Sequence, residues 1–248
     1  MTRRCPLPAR FAIRISVVAP LVLMLVLGLL LAGCWNPFSS DSDDDKDKDR
    51  EPPPFLLPRT SPENVLYDLR SIYAGADALV ATDEDAVHWA EMYRTLFHPD
   101  SFKFYFIPYD QPPSFPEGWW GPDDEVATFE NMLKLKVSGV IDDIRLTWTV
   151  NPSEPDNRVS PIAPPQLLHP GWRHVFVTGI LLDVVEGQTT YRVTNGTADF
   201  YFAPDPADST LWVVTEWYDR PPIGGSPVGY LNVAPESSTW GRLKALYR

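Results

Sequence analysis

Three patterns of apolar and polar positions follow one another along this chain. An uninterrupted apolar run, Val17–Ala32, comes first and is preceded by four arginines. From residue 61 apolar residues recur every three or four positions, and from residue 102 they mostly alternate with polar ones. The first pattern is typical of an export signal or a membrane segment, the second of amphipathic helices, and the third of strands.

The helical period predicts three helices in the first half of the domain. Ser61 is a good N-cap and Pro62 suits the first helical position, so we expect the first helix to begin there and to end near Gly75. The second helix begins at Thr82, where Thr-Asp-Glu-Asp resembles a capping box. The third follows Pro122 and carries three acids in its first turn.

The alternating pattern predicts a mainly antiparallel sheet after the helices. Asn195-Gly196 interrupts one long strand and indicates a bulge or a second hairpin turn. Residues 239–247 are typical of a short closing helix. The predicted strands are Phe102–Phe106, Val140–Val150, His174–Val185, Thr189–Ala203 and Leu211–Tyr218.

The last of these strands is apolar on both faces. Simple alternation groups Leu211, Val213, Thr215 and Trp217 on one face and Trp212, Val214, Glu216 and Tyr218 on the other. If one face covers the helices, the other needs a cover of its own. We expect the proline-rich connection 151–171 to provide it, and a homodimer formed through the outer sheet face is the alternative.

The end of the apolar run carries a specific motif. Leu31-Ala32-Gly33-Cys34 resembles the lipobox of bacterial lipoproteins. That resemblance implies cleavage before Cys34, a diacylglycerol on its sulfur, and an exported protein anchored to a membrane. An uncleaved spanning helix over residues 15–33 is the alternative, although Pro20 and Gly28 weaken it. Trp35 after the cysteine, rather than aspartate, implies the outer membrane.

Composition narrows the function classes. Residues 1–33 hold four arginines and no acid, so their removal changes the net charge from −12 to −16. Such an acidic domain is a poor candidate for binding nucleic acid. Cys5 and Cys34 are the two cysteines of the chain, so a mature chain that begins at Cys34 has no internal disulfide.

Residues 34–60 are rich in acids and proline and are typical of a disordered tether. Asp41, Asp43 and Asp45 lack the glycine that a calcium loop needs, and the four histidines are scattered, so we expect neither a metal nor another cofactor.

The order of elements resembles that of the cone-shaped α+β fold shared by nuclear transport factor 2, ketosteroid isomerase and polyketide cyclases. Several segments are also similar to uncharacterised bacterial lipoproteins of that superfamily, namely 61–66, 102–110, 215–219 and 239–247. The resemblance covers residues 61–248 and implies three helices packed in the concave face of a curved, mainly antiparallel sheet. The superfamily includes both enzymes and non-enzymatic binders. Our first hypothesis is a non-catalytic domain that binds a small apolar ligand or an envelope partner. The alternatives are an enzyme of the isomerase, dehydratase or cyclase type and a glycan-binding or structural docking module.

Enzymes of that superfamily place one carboxylate in the pocket between helices and sheet, where burial raises its pKa. Glu216, flanked by apolar residues, is the first candidate base, and Asp199 is the second. The alternative for Glu216 is an ion pair with an arginine such as Arg145 or Arg192. The candidate ligand-binding residues are Tyr105, Trp148, Tyr201, Trp119 and Trp120, with Tyr218 as a further hydroxyl donor.

Two of these residues support a separate hypothesis. Trp119 and Trp120 lie in a loop bounded by prolines and could stack on sugar rings, which would make the domain a binder of cell-envelope glycans. The alternative is that they pack against the third helix near Val126, since aromatic side chains contribute large buried areas to a core.

Overall fold

The computed structural model describes residues 56–162, 164–221 and 239–248. The predicted signal 1–33, Cys34 and all but the last residues of the tether lie outside this range. The described elements are α1 (Pro62–Leu79), α2 (Asp83–Arg94), β1 (Lys103–Tyr105), β2 (Trp119–Trp120), α3 (Pro122–Val137), β3 (Asp143–Val150), β4 (Glu154–Pro155), β5 (Arg173–Glu186), β6 (Thr189–Pro204), β7 (Trp212–Arg220) and α4 (Trp240–Ala245).

The three long helices begin where local chemistry predicts. The Ser61 hydroxyl accepts a hydrogen bond from the Asn64 amide at 3.3 Å, and Thr82 forms the predicted capping box with Asp85. The predicted end of α1 at Gly75 is wrong, because the helix continues to Leu79. The next residue, Ala76, is fully buried, so the helix gains core contacts by continuing.

The strands form one sheet in the order β2-β1-β7-β6-β5-β3, and β4 pairs with the first residues of β5. All neighbours are antiparallel except β1 and β7. The predicted irregularity at Asn195-Gly196 is confirmed: Asn195 has a φ of 54°, and the β5–β6 register shifts beside it.

Helices α1, α2 and α3 supply one side of the main hydrophobic core, and the sheet supplies the other. The predicted fold class, α+β with a mainly antiparallel sheet, is confirmed. Helix α4 completes this core with a close approach, because a Cβ at Gly241 would lie 2.7 Å from the Phe106 ring. Aromatic rings fill much of the space, among them Tyr73, Tyr93, Phe104, Phe129, Phe200, Trp217 and Trp240.

The predicted grouping of side chains on β7 is wrong because a bulge interrupts the strand. The register between β6 and β7 shifts between Tyr201 and Phe202. Before the bulge Val214 belongs to the core, and after it Trp217 does, so these two residues do not alternate simply. Glu216 and Tyr218 therefore share the outer face without Val214.

The connection between β4 and β5 reaches this outer face, as predicted for the segment 151–171. The Arg158 guanidinium lies 3.6 Å from the centre of the Tyr201 ring on β6. Contact of this kind between a guanidinium and an aromatic face is favourable, so the connection covers part of the sheet. Among the described residues, no helix has both the length and the apolar character that crossing a membrane requires.

Candidate functional site

An ion pair between Glu125 and Lys244 occupies the interior between helices and sheet. Glu125 lies in the first turn of α3 and Lys244 in α4, and both are almost completely buried. The Glu125 carboxylate accepts further hydrogen bonds from the Tyr93 hydroxyl at 2.5 Å and from the Trp120 indole at 3.0 Å. Three donors therefore converge on one carboxylate, as the burial of a charge demands.

Aromatic rings surround the other half of the pair. The Lys244 Nζ atom lies 4.1 Å from the centre of the Trp217 ring, 4.9 Å from Trp240 and 5.1 Å from Phe104. Burial lowers the pKa of Lys244 to about 8, although Glu125 opposes this shift. Burial and the nearby Glu125 both raise the pKa of the Tyr93 hydroxyl. A salt bridge and aromatic rings thus fill the interior between helices and sheet where a catalytic base was expected.

No sequence motif marks this pair. Glu125 is one of three acids in the first turn of its helix, where acids commonly stabilise the positive end of the helix dipole. One signal could have marked it: Glu125, Phe129 and Met132 follow the i, i+4, i+7 spacing of the buried face of α3. Lys244 carries no such signal, because its helix has only six residues.

A second buried acid lies near this pair. Asp219 accepts a hydrogen bond from the Gly241 amide at 2.9 Å and thereby ties β7 to α4. Burial raises the pKa of Asp219 to about 7, against the lowering effects of this hydrogen bond and of Lys244. The carboxyl group is therefore mostly protonated in the folded chain at mildly acidic pH.

We expect the free energy of unfolding to fall as the pH rises from 4 to 7. A carboxyl group whose pKa is higher in the folded than in the unfolded chain stabilises the fold at low pH and loses that contribution through its folded pKa. Burial raises the pKa of Asp68 to about 6, so Asp68 contributes in the same direction. Asp156 and Asp199 have lowered pKa values, so they change the stability only at pH values below this range. Urea unfolding at several pH values should show that Asp219→Asn removes roughly half of the dependence of the unfolding free energy on pH between 4 and 7. An unchanged slope would contradict the assignment to Asp219.

The two predicted catalytic carboxylates, Glu216 and Asp199, do not lie in this interior, and that placement was wrong. Both lie on the outer face of the sheet, in ion pairs. Glu216 contacts Arg158 at 2.5 Å, and Arg158 also binds Asp156 at 2.8 Å. Asp199 accepts hydrogen bonds from His174 at 2.7 Å and from Arg220 at 2.6 Å.

The alternative predicted for Glu216, an ion pair with an arginine, is confirmed, but the partner is Arg158 rather than Arg145 or Arg192. Arg145 binds its neighbour Asp143, and Arg192 binds Asp183 on the adjacent strand β5. Arg145 lies on β3, which β5 and β6 separate from β7. The partner Arg158 comes from the covering connection, whose path over the sheet no local pattern indicates.

The cationic neighbours of Asp199 on the outer face lower the pKa of its carboxyl group. Burial alone would raise the pKa of Asp199, but the hydrogen bonds from His174 and Arg220 lower it overall. The hydrogen bond to Asp199 raises the pKa of His174, whose other ring nitrogen lies 3.1 Å from Glu154. An acid held ionised by two cationic partners is a weak general base.

The predicted ligand-binding tyrosines belong to the same outer face. The rings of Tyr105 and Tyr218 stack with their centres 4.2 Å apart, and Tyr201 meets Tyr218 edge-on at 5.7 Å. Burial raises the pKa of all three hydroxyls, with Glu216 adding to the shift for Tyr105 and Tyr218.

Trp119 and Trp120 point to opposite sides of β2, and Trp120 is buried, so the two rings do not form a shared surface on which sugars could stack. Trp120 is buried against Phe104 and Phe106, and its indole binds Glu125 on α3, which confirms the packing alternative. Trp119 is half-buried, and its ring centre lies 4.3 Å from the Lys103 ammonium.

Trp148, the remaining candidate, borders a surface cavity of about 450 Å³ together with Tyr67, Arg70 and Val150. A second hollow of about 400 Å³ continues along the same side of the molecule and shares Arg70 with the first. Both hollows lie between α1 and β3, and we call them together the α1–β3 groove. Their volumes fall in the usual range of ligand sites.

The described residues contain no cluster of three His, Cys, Asp or Glu side chains that could hold a metal ion.

No protein-family model and no curated protein sequence matches the chain. Three solved structures to which it is similar have low identities. A Mycobacterium tuberculosis protein of unknown function is 9% identical, with a TM-score of 0.40, over 74% of this chain and 83% of that one. An NTF2-like protein with a cystatin-like fold from Novosphingobium aromaticivorans is 11% identical, with a TM-score of 0.37, and the match covers 69% of this chain and 91% of that one. An NTF2-like superfamily protein from Salmonella enterica serovar Typhimurium is 13% identical, also with a TM-score of 0.37, and the match covers 69% of this chain and 100% of that one. Similarity at this level carries no activity, ligand or partner over to this chain.

Proposed function

We propose that this chain is an exported, lipid-anchored envelope protein whose domain binds a partner without catalysing a reaction. The observation that carries the proposal is the filled interior. Where a catalytic pocket would require space around an acid, Glu125 is in contact with Lys244, and aromatic rings surround the pair. Binding then has to use the outside of the domain.

The placement of the acids supports the non-catalytic part of this proposal. Glu216 is engaged by Arg158 in an ion pair on the outer face, and His174 and Arg220 lower the pKa of Asp199, which makes Asp199 a poorer base. The same contacts tie the covering connection and β4 to the sheet. A structural role explains their geometry without any substrate.

Support for the lipid anchor comes from the sequence alone. The apolar run ends in Leu31-Ala32-Gly33-Cys34, and Cys34 is followed by a charged segment that resembles a tether. Several acyl chains on one cysteine would hold the domain firmly, whereas a single chain binds only marginally.

Metabolic labelling tests the anchor. The full chain, expressed in a double-membrane bacterium fed an alkyne-bearing fatty acid, is expected to take up the label and to sediment with the outer membrane. Cys34→Ser is expected to lose the label completely, whereas the matched control Cys5→Ser keeps it, because residue 5 lies in the part that is removed. Label that persists in Cys34→Ser would overturn the anchor.

The non-catalytic part has a separate test. The purified chain is incubated with an envelope metabolite extract, and small molecules are followed by mass spectrometry. We expect no compound to disappear with time. Conversion of a compound by the wild-type chain, abolished in Glu125→Gln or Glu216→Gln, would overturn this part of the proposal.

A further inference from the structure

Strand β3 forms one edge of the sheet, and the α1–β3 groove runs along that edge. The second hollow is lined by five consecutive residues of β3, 143–147, together with residues of α1. Side chains of a strand alternate between the two faces of a sheet, so a hollow on either face would meet every second residue. Consecutive lining residues place the hollow beside the edge of the strand, where backbone groups face outward.

One hydrogen bond shows which way these backbone groups face. The Ile144 amide donates to the Asp77 carboxylate of α1 at 2.8 Å, so it points away from β5. Asp77 also binds Lys136 at 2.9 Å, and this pair closes one end of the groove. The described residues provide no other side-chain acceptor for a β3 amide. Because backbone groups alternate in direction along an antiparallel strand, the amides of Leu146, Trp148 and Val150 also face away from β5, and a further strand can join them there.

The opposite wall of the groove is a single face of α1. Glu63, Tyr67, Arg70, Ala74 and Asp77 follow the spacing that places residues on one side of a helix, and all of them border the two hollows. On the strand side, Trp148 and Val150 border the first hollow, whereas apolar and polar residues alternate along the second, with Ile144 and Leu146 between Asp143, Arg145 and Thr147.

Arg70 is the basic residue that the two hollows have in common. It borders both hollows, and among the described residues it makes no ion pair; its guanidinium lies 5.6 Å from the Tyr67 ring. The acids nearby are already engaged: Glu63 accepts a hydrogen bond from the Ser153 amide at 2.7 Å, and Asp143 binds Arg145. A half-buried guanidinium beside an aromatic ring is suited to binding a carboxylate.

We propose that the α1–β3 groove binds an extended peptide segment of a partner protein, which adds a strand to the free edge of β3 and places a carboxylate on Arg70. Strand addition supplies affinity through the backbone, and the two hollows receive alternate side chains. The eight residues of β3 span roughly 26 Å, room for a peptide of about seven residues. A small carboxylate would use Arg70 but leave the backbone edge and one hollow unused.

This inference deepens the proposed binding role, and peptide selection tests it. The purified full chain is used to select from a phage-displayed library of random heptapeptides. We expect Asp or Glu to be enriched at one position, flanked by alternating apolar residues. Arg70→Gln is expected to lose the acidic enrichment, whereas Arg94→Gln, an exposed arginine of α2 paired with Asp123, keeps it.

Affinity and hydrogen exchange then locate the site. Changing the selected acid to its amide is expected to weaken binding to the wild-type chain about tenfold to a hundredfold, and to have little effect on Arg70→Gln. The bound peptide should slow exchange of the Leu146, Trp148 and Val150 amides, which face away from β5 like that of Ile144, and should leave exchange of the alternating, β5-facing amides unchanged.

Four outcomes would overturn the inference: no enriched peptide, an acid preference that survives Arg70→Gln, protection confined to the outer face of the sheet, or β3 amides already protected in the free chain by a second copy of itself. The last outcome would appear as a dimer in sedimentation. None of them involves turnover of a metabolite, so failure of the groove remains distinct from failure of the non-catalytic role.

Discussion

Lys244→Met is expected to lower the free energy of unfolding by about 3–5 kcal/mol, because it leaves the Glu125 carboxylate buried without its cation. Both side chains are almost fully buried, so water cannot replace the lost partner. Methionine keeps the length of the apolar stem, and the loss therefore reports the charge rather than a cavity. Equilibrium unfolding in urea, followed by tryptophan fluorescence, measures it.

The double variant separates the ion pair from the fold. Glu125→Gln combined with Lys244→Met removes both charges and still offers an amide oxygen to Tyr93 and Trp120. We expect this double variant to be more stable than Lys244→Met alone. Removing one partner leaves an unpaired charge in the interior, whereas replacing both partners with neutral side chains leaves none. Lys134→Met, which removes an exposed i, i+4 pair with Glu130, should cost less than about 0.5 kcal/mol. Equal losses for Lys244→Met and Lys134→Met would contradict a buried ion pair.

The elements that the sequence predicted correctly are those specified by neighbouring residues. Ser61, Thr82 and Pro122 each mark a helix start through contacts within one turn. Asn195 marks the irregularity of β6 because asparagine tolerates a positive φ better than most residues. Alternation predicted the long strands because one face of each is buried.

The candidate site could not be predicted in the same way, because its contacts join distant parts of the chain. Glu125 and Lys244 are 119 positions apart, and Arg158 and Glu216 are 58 apart. The bulge next to Tyr201 adds a second difficulty, since it changes which residues of β7 face the core. A carboxylate with apolar neighbours therefore resembled a pocket residue while it belonged to the outer face.

Arg158→Met is expected to lower the free energy of unfolding by about 3 kcal/mol at pH 7, because one guanidinium serves two carboxylates. Asp156 has no exposed side-chain surface, and Glu216 is 14% exposed, so both would be left largely unsolvated. Arg158→Lys keeps the charge but loses the paired N–H groups that bind Asp156, and it should fall between the wild type and Arg158→Met. The exposed pair of Arg145 and Asp143 gives a matched control, since Arg145→Met should cost less than about 1 kcal/mol.

The pH dependence of this loss identifies its cause. Although burial alone would raise the pKa of Asp156, the hydrogen bonds from Arg158 lower it overall. A carboxylate with a lowered folded pKa stabilises the fold above its unfolded pKa, near 4, and loses that contribution as the pH falls through the folded value. The difference in unfolding free energy between wild type and Arg158→Met should therefore be largest at neutral pH and shrink toward pH 3. A loss of the same size at both pH values would assign the effect to the contact between Arg158 and the Tyr201 ring instead, because that contact does not depend on an ionised acid.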